Sequence, residues 1–422
     1  MRPTGRLHIG HYFGALQNWV NLQNDPANDC FYFIADWHAL TSDYADTSAI
    51  AENSLQITID YLAAGLDPAK STIFLQSLVP EHAELHLLLS MVTPLGWLER
   101  VPTYKEQIAN VTNRDLHTYG FLGYPTLQTA DIVIYSKWDE ETRKHLPLVV
   151  PVGEDQVSHV EFSRELVRRF NTYYGWQVFR EKFLLPENAD IVLALLNLLF
   201  TISPDLFAKG PVKTISAADF ELITYAVREA GASMGWKNLL ESNRRFGDLI
   251  AVKEVLVEPG HLLTPTPRIP GLDGRKMSKS YNNAITLSES DDDIRSKTKV
   301  MVTDPARKRR TDPGNPDICP VYDWHKLFST PERDPGRLDW VQTGCRTAGI
   351  GCIECKAAMA ENLIKWIEPV RARRVQYEQN PKSALEILDN GSSKARESAK
   401  LTMQRVRESI FNWNRKRNEI TG

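Results

Sequence analysis

The sequence predicts an α/β fold built on a parallel sheet, and three apolar runs at residues 30–35, 72–75 and 148–152 carry this prediction. Continuous apolar runs are typical of strands that are buried on both faces of a parallel sheet. Between the first two runs lies an apolar stripe at helical spacing, formed by Leu55, Ile59, Leu62 and Leu66. Strand, helix and strand in this order predict a βαβ unit.

Length and composition limit the class of protein. The 422 residues are enough for two or three domains, and 42% hydrophobic with 24% charged residues is ordinary for a soluble protein. The chain does not open with a basic segment followed by an apolar one, so we expect no secretory signal. The longest apolar stretch, residues 191–202, is too short to cross a bilayer. With five cysteines and no oxidising context, we expect a cytoplasmic protein with no membrane partner.

The formal net charge of −3 does not by itself indicate a nucleic-acid partner, but the charge is unevenly spread. Residues 356–422 carry 14 Lys and Arg against 8 Asp and Glu, and a run of four cations occupies 307–310. A local basic face is what binding to a phosphate backbone requires. The alternative is a solvated, charged helix surface.

Two short motifs at opposite ends of the α/β region indicate chemistry. Residues 274–280 read Gly-Arg-Lys-Met-Ser-Lys-Ser and follow a Pro-Gly pair, which predicts a mobile surface loop. Residues 8–11 read His-Ile-Gly-His and open a run with helical periodicity. Free backbone N–H groups at a helix start bind anions, and Gly10 leaves them accessible. Each motif alone could be a solvated loop or a structural turn.

Together these motifs resemble the two signatures of class I aminoacyl-tRNA synthetases. The resemblance implies ATP, with Mg²⁺ on its phosphates, held across a Rossmann-like sheet. It implies that charge at the α-phosphate is stabilised by His8, His11, Lys276 and Lys279. It also implies a set of ATP-binding residues, namely Arg2, Gly10, Gly153, Asp155, Met277, Ser278 and Ser280. Displacement at phosphorus needs positioned donors and cations more than a protein nucleophile.

The start of the chain departs from that family. There a β-strand precedes the histidine motif, whereas here only Met-Arg-Pro-Thr-Gly and two further residues come before it. We therefore expect either that the start is placed late or that the sheet lacks its first strand, and we favour the first. An open sheet without its central strand would leave backbone groups unpaired.

The middle of the chain narrows the resemblance to tryptophanyl-tRNA synthetases. The matching pieces are residues 3–5, Tyr124-Pro125 with residues 130–132, and residues 150–156. Tyr124-Pro125 predicts a turn, and Asp131 lies inside an apolar run, where a carboxylate is costly without a donor. The alternative interpretation of Asp131 is an aspartate that caps a helix or lies on its surface.

The resemblance assigns roles in this region. Asp131 would accept the indole N–H, and His38, which otherwise could be a structural histidine, would line the side-chain pocket. Further tryptophan contacts are implied for Tyr124, Gln156 and Gln128, and Lys105 would be an additional catalytic lysine near the phosphates. A buried acceptor can discriminate strongly against a ligand without the donor.

Four cysteines predict a metal site. Cys319, Cys345, Cys352 and Cys355 end in a C-x6-C-x2-C pattern, and nearby glycines indicate tight turns. Paired C-x2-C halves usually bind zinc in a tetrahedral site. The alternative to a metal site is that these are unrelated thiols of the core. The pattern is similar to the [4Fe–4S] site of a subset of the family. Thiolates serve both metals, and we favour iron–sulfur in a structural role.

The resemblance implies a tryptophan–tRNA ligase that forms tryptophanyl-adenylate and pyrophosphate and then esterifies tRNA(Trp), as a homodimer. The alternatives are a tyrosine-specific class I synthetase, a non-catalytic RNA-binding paralogue and a nucleotidyltransferase of the same superfamily. The expected organisation is a Rossmann-like catalytic domain at 1–174, a folded helical insert of unknown role at 175–254, the end of the catalytic domain with the lysine loop at 255–300, and a helical anticodon-binding domain with the cysteine cluster at 301–422.

Overall fold

The computed structural model describes residues 1–110, 115–142, 144–207, 217–263 and 269–421. The strands within them are β1 (Cys30–Ile34), β2 (Ser71–Leu75), β3 (Trp138–Asp139), β4 (Lys144–His145), β5 (Val149–Val152), β6 (Trp176–Val178), β7 (Ile250–Val252) and β8 (Gly260–Leu263). Parallel ladders join β1 to β2 and β5 to β8, and antiparallel ladders join β3 to β4 and β6 to β7. The predicted parallel strands are therefore confirmed.

Helices dominate the described chain. Those before residue 184 are α1 (Ile9–His11), α2 (Gln17–Gln23), α3 (Asp36–Asp43), α4 (Ile50–Ala64), α5 (Glu81–Ser90), α6 (Leu95–Leu98), α7 (Pro102–Asn110), α8 (Tyr119–Val133), α9 (Val157–Tyr174) and α10 (Arg180–Phe183). Those after it are α11 (Ala189–Ile202), α12 (Ala217–Met234), α13 (Trp236–Ser242), α14 (Phe246–Leu249), α15 (Asp291–Lys299), α16 (Pro320–Phe328), α17 (Arg337–Arg346), α18 (Cys352–Gln379), α19 (Pro381–Phe411) and α20 (Trp413–Thr421). None of the described helices combines the length and apolar character of a bilayer-crossing segment.

The βαβ unit ends its helix as the sequence predicts. Gly65 follows α4 with a left-handed φ of 113°, and its N–H donates to the Leu62 carbonyl. The N–H of Leu66 donates to Tyr61, which completes a Schellman-type cap. Only glycine adopts this conformation without strain, so the helix stops where β2 must begin.

Long C-terminal helices cover the sheet. Helix α19 lies against β2 so closely that a Cβ at Gly391 would stand 1.9 Å from the Ile73 carbonyl oxygen. On α18, the buried guanidinium of Arg374 bonds to the buried carboxylate of Asp60 on α4. The largest buried cluster runs from the histidine motif into α16, α18 and the start of α19, so these helices share a core with the sheet.

A separate buried cluster occupies most of the 175–254 stretch. Its members come from β6, α10, α11, α12, α13, α14 and β7. The antiparallel β6–β7 ladder closes the two ends of the segment beside each other. Helices α11 and α12 supply much of this cluster, so the segment is folded and largely helical.

Two details of the sequence prediction were wrong. Tyr124 and Pro125 do not begin a turn but lie inside α8, whose start is capped by the Thr118 hydroxyl accepting from the Phe121 N–H. The cap and the apolar face of this helix outweigh the local cost of a proline. Strand β5 is not fully buried, because Val149 is 53% exposed.

Candidate active site

The histidine motif forms a tight cap. The His8 ring accepts from the His11 N–H, and the His11 ring accepts from the His8 N–H, at 3.3 and 3.2 Å between Nδ1 and N. The two rings stack with centroids 3.6 Å apart. Burial, followed by the nearby Lys279 ammonium, lowers the pKa of His8 to about 4. Burial also holds the pKa of His11 well below its usual value. Both imidazoles are therefore neutral near pH 7 and act as N–H donors rather than as cations.

The lysine loop lies against this motif. The Ile9 N–H donates to the Ile285 carbonyl at 3.0 Å, and the Leu287 N–H donates to the Leu7 carbonyl at 2.9 Å. The Lys279 ammonium lies 3.4 Å from the Thr4 carbonyl oxygen. The two predicted motifs thus come together at one place, although more than 260 residues separate them in the chain.

Gly10 of the histidine motif lies close to Met277 of the lysine loop, where the two motifs meet. A Cβ on Gly10 would lie 3.0 Å from the His8 ring and 3.4 Å from the Met277 sulfur. Ser278 is half-buried at the loop, whereas the Lys276 side chain is exposed. The side chain of Ser280 lies outside the described residues.

Asn283 organises the loop, and sequence reasoning missed it. Its Oδ1 accepts from the Ser278 N–H at 2.7 Å, while its Nδ2 donates to Asp273 at 2.7 Å and to the Lys276 carbonyl at 3.1 Å. The side chain is 2% exposed. Because an asparagine just after a polar loop carries no distinctive pattern, nothing in the sequence marks it.

Asp131 lies at the centre of a buried polar cluster. Its Oδ2 is 2.7 Å from Nε2 of His38, and its Oδ1 is 2.6 Å from Nδ1 of His82. Nε2 of Gln76 donates to Oδ1 at 2.7 Å. Burial alone would raise the pKa of Asp131, but the hydrogen bonds from His38 and His82 bring it down to about 2. The carboxylate is therefore ionised and neither a capping nor a surface group.

The Tyr124 hydroxyl is held by Thr103 and His159. Its hydroxyl lies 2.5 Å from Oγ1 of Thr103 and 3.4 Å from Nε2 of His159. Burial raises the pKa of Tyr124, against the opposing effects of the Thr103 hydrogen bond and the Arg2 guanidinium. Arg2 is itself exposed and donates to Ser42 at 3.4 Å. The residues before the histidine motif therefore lie beside the Tyr124 pocket.

The turn after β5 carries Gly153, Asp155 and Gln156. Nε2 of Gln156 donates to Asp155 at 3.2 Å, and a Cβ on Gly153 would stand 2.9 Å from Oδ1 of Asp155. Helix α9 follows directly and carries His159 to Tyr124.

Two predicted residues lie near the site without a described contact to it. Gln128 is half-buried one helical turn before Asp131. Lys105 is exposed on α7, two residues after Thr103.

Four further residues of this pocket were not predicted, namely Gln76, His82, Thr103 and His159. Gln76 follows directly after β2, as Asp36 follows β1, so the rule that ligands bind at strand carboxyl ends could have found it. His82 lies on α5 and His159 on α9. Tertiary packing brings them to the site, so no local sequence signal marks them.

The four cysteines line one small cavity of about 20 Å³ that Arg307 also borders. Burial raises the pKa of Cys355 to about 12, and the other three thiols add to that effect. The Arg307 guanidinium lies 3.6 Å from the Cys345 sulfur. Within the described ranges, no three His, Cys, Asp or Glu side chains are arranged to hold one metal ion.

Comparison with known proteins gives one family. The model of the class I tRNA synthetases for W and Y matches residues 1–196 and 238–368. The tryptophan–tRNA ligase of Ralstonia nicotianae is 45% identical over 97% of this chain and 96% of its own length. That of Thermotoga maritima is 39% identical over 97% of both chains. At this coverage the alignments extend into the 175–254 stretch, which we expected to be an insert of unknown role.

The fold has the same relatives. Tryptophanyl-tRNA synthetase from Campylobacter jejuni, solved in complex with ADP and tryptophan, superposes with a TM-score of 0.68. The two sequences are 27% identical, and the match covers 97% of this chain and 98% of that one. With its joined histidine and lysine motifs and its Rossmann-like parallel strands, the chain belongs to the tryptophanyl-tRNA synthetase family of class I.

Proposed function

We propose that this enzyme activates L-tryptophan with ATP to tryptophanyl-adenylate and pyrophosphate, and then transfers tryptophan to tRNA(Trp). The observation that carries the proposal is the meeting of Lys279 with the histidine motif, in a chain that also buries the Asp131 carboxylate against His38. The substrate carboxylate attacks the α-phosphate, so no protein nucleophile is needed. Catalysis then depends on positioning and on stabilising negative charge.

The residues of the histidine motif would bind the triphosphate. His8 and His11, neutral near pH 7, would donate N–H groups to phosphate oxygens, and Lys279 would supply a positive charge. Lys276, exposed in the same loop, would reach the phosphates when the loop closes. Mg²⁺ would bind the phosphates as part of the substrate.

Other residues would complete the ATP site. Gly10 would contribute by its lack of a side chain, because a Cβ would crowd His8 and Met277 where the two motifs pack together. The remaining proposed contacts are Arg2, Gly153, Asp155, Ser278, Ser280 and Lys105.

The amino acid would lie between Asp131 and Tyr124. Asp131 would accept the indole N–H, with His38 and Gln128 along the side-chain pocket. Tyr124 and Gln156 would hold the ammonium group. The support is that Asp131 is buried and ionised, since a buried acceptor left without its donor penalises the wrong ligand.

The cysteine cavity fits a metal group by its donor chemistry. Four thiols face one space, and Arg307 can balance the negative charge of thiolate ligands. We propose a [4Fe–4S] cluster over zinc, because the cysteines form only one C-x2-C pair and their spacing resembles that of the iron–sulfur subset of the family. The cluster would pin the surface around it and take no part in the reaction.

The wider organisation is part of the proposal. Residues 1–174 and 255–300 would form the catalytic domain, 301–422 would read the anticodon, and 175–254 would be a folded insert, supported by its own buried cluster. We also propose a homodimer, by resemblance to the family. A cytoplasmic location is supported by the five unpaired cysteines.

One assay separates the candidate functions. ATP–pyrophosphate exchange is measured with tryptophan, with tyrosine and with no amino acid, and tRNA charging is measured alongside. We expect exchange with tryptophan and charging of tRNA(Trp). Exchange driven by tyrosine would instead indicate the tyrosine-specific alternative. RNA binding without exchange would indicate a non-catalytic paralogue, and nucleotide transfer independent of tRNA would indicate a nucleotidyltransferase.

A further inference from the structure

The Asp131 carboxylate has almost no free acceptor capacity. A carboxylate offers about four lone-pair positions, two on each oxygen. Oδ1 receives His82 at 2.6 Å and Gln76 at 2.7 Å, so both of its positions are filled. Oδ2 receives His38 at 2.7 Å and keeps one position. A ligand can therefore reach Asp131 only through Oδ2 and only with a hydrogen-bond donor.

The orientation of the Gln76 amide follows from its two neighbours. Because an ionised carboxylate only accepts, the NH₂ group must face Asp131. Oε1 then faces the Trp37 N–H, which it shares with Oδ1 of Asp36 at 3.2 and 3.1 Å. Gln76 is 0% exposed, so no water competes for these contacts.

The proton position on His82 is also fixed. A proton must lie on Nδ1, because an unprotonated Nδ1 would face a carboxylate oxygen at 2.6 Å, lone pair to lone pair. Nε2 lies 2.8 Å from the Tyr135 hydroxyl, so the ring is held between Asp131 and Tyr135. His82 is 0% and Tyr135 7% exposed. The pair therefore holds one arrangement without solvent.

We propose that Gln76, His82 and Tyr135 form a positioning relay that fills Oδ1 of Asp131 and leaves Oδ2 as the only acceptor offered to the amino acid. The relay makes the pocket require one ring N–H donor. This inference rests on the proposed function, because it concerns the tryptophan pocket of that reaction. None of the three residues touches the reacting atoms, so each is a positioning residue.

The relay has a consequence for specificity. Without the His82 donor, one of the two histidine hydrogen bonds that oppose the effect of burial is lost, so Asp131 is protonated more readily, and a neutral carboxyl group can donate as well as accept. Such a pocket tolerates a ring that lacks the N–H. Loss of the relay should therefore reduce discrimination more than it reduces the rate of adenylate formation.

The test compares tryptophan with 3-(benzothiophen-3-yl)alanine, which has sulfur in place of the ring N–H. The readout is the ratio of the two kcat/KM values in ATP–pyrophosphate exchange. In His82→Leu we expect this ratio to fall about tenfold or more, through a higher KM for tryptophan with little change in kcat. His82→Asn should restore most of the ratio, because its amide N–H can replace Nδ1–H. In His82→Leu the KM should also rise as the pH falls from about 7 to about 5, while the unaltered enzyme stays flat.

Tyr135→Phe is the second variant, in case His82→Leu does not fold. It removes the hydroxyl that fixes His82 and should lower the ratio about threefold. Tyr32→Phe is its matched control, since that buried hydroxyl donates to the Trp19 carbonyl at 3.1 Å and does not touch Asp131. The control should keep the original ratio.

The outcomes are separable. Absence of tryptophan-dependent exchange in the unaltered enzyme would refute the proposed function and the relay with it. If that exchange is present, a ratio unchanged in a folded His82→Leu overturns the relay alone. Equal losses with both substrates in His82→Leu, or a Tyr135→Phe ratio equal to that of Tyr32→Phe, likewise overturn it.

Discussion

The Lys279 ammonium lies 3.4 Å from the carbonyl oxygen of Thr4, across 275 positions of sequence. A Cβ on Gly5 would come within 3.3 Å of the same ammonium. Burial lowers the pKa of Lys279, and the nearby Asp60 carboxylate opposes that effect. The lysine is thus held at the histidine motif before any substrate arrives, which reduces the reorganisation needed when charge develops on the α-phosphate.

Replacing Lys279 with alanine should slow adenylate formation by about 10²-fold, because one positioned charge on the transition state is lost. The KM for tryptophan should change less than about threefold, since the Asp131 pocket is untouched. Single-turnover formation of tryptophanyl-adenylate measures both. Lys382→Ala is the matched control, as that side chain is 83% exposed on α19. An unchanged rate in Lys279→Ala would contradict the role assigned to it.

The neutral state of His8 makes stability depend on pH. Its pKa is about 4 in the folded chain against 6.5 ordinarily, so between these values the unfolded chain binds a proton that the folded chain does not. Stability should therefore fall by about 2 kcal/mol as the pH drops from about 7 to about 4.5. His8→Asn keeps a capping acceptor but does not titrate, so its melting temperature should fall less over that range. Identical pH profiles for the two proteins would show that His8 is already protonated or exposed.

Arg374 should matter both to stability and to the ATP site. It pairs with the buried Asp60, whose other oxygen accepts the Leu7 N–H at 2.7 Å, directly before the histidine motif. Arg374→Ala leaves that carboxylate unpaired and should cost about 3–5 kcal/mol, seen as a lower melting temperature. We also expect a higher KM for ATP. Lys365→Ala, at an exposed position of the same helix, is the control and should change neither by much.

The cysteine cavity predicts a coloured protein. Purified without oxygen, the enzyme should be brown and contain about four iron atoms per chain, as the proposed cluster requires. Cys352→Ser should lose most of the iron and lower the melting temperature, while Cys30→Ser, a buried thiol elsewhere, should keep it. Colourless protein that carries zinc would contradict the iron–sulfur proposal.

Much of the fold could be predicted because its strands are continuous apolar runs and its helices have a clear period. The Asp131 pocket could be predicted only in part. His38 lies shortly after strand β1, and Asp131 lies inside an apolar run. A polar residue is conspicuous at either place. Gln76, which follows β2, and His82, on α5, complete the cluster around Asp131. No local sequence pattern predicts that these two elements meet at Asp131.

The errors have physical causes too. Pro125 suggested a turn because proline removes a backbone donor, yet the Thr118 cap and tertiary packing keep α8 helical. The sequence does not give the protonation state of the histidine motif, in which burial and Lys279 lower the pKa of both rings. Local sequence gives the conformational preference and formal charge of each residue. It does not give the desolvation that a residue experiences once tertiary packing buries it.

The central claim is that one crevice holds ATP at the histidine and lysine motifs and tryptophan at Asp131. A crystal structure with a non-hydrolysable tryptophanyl-sulfamoyl adenosine tests it most directly. The account predicts the indole nitrogen within hydrogen-bond distance of Oδ2 of Asp131 and the sulfamoyl group between His11 and Lys279. An analogue bound away from these residues, or with its indole nitrogen facing another side chain, would contradict it.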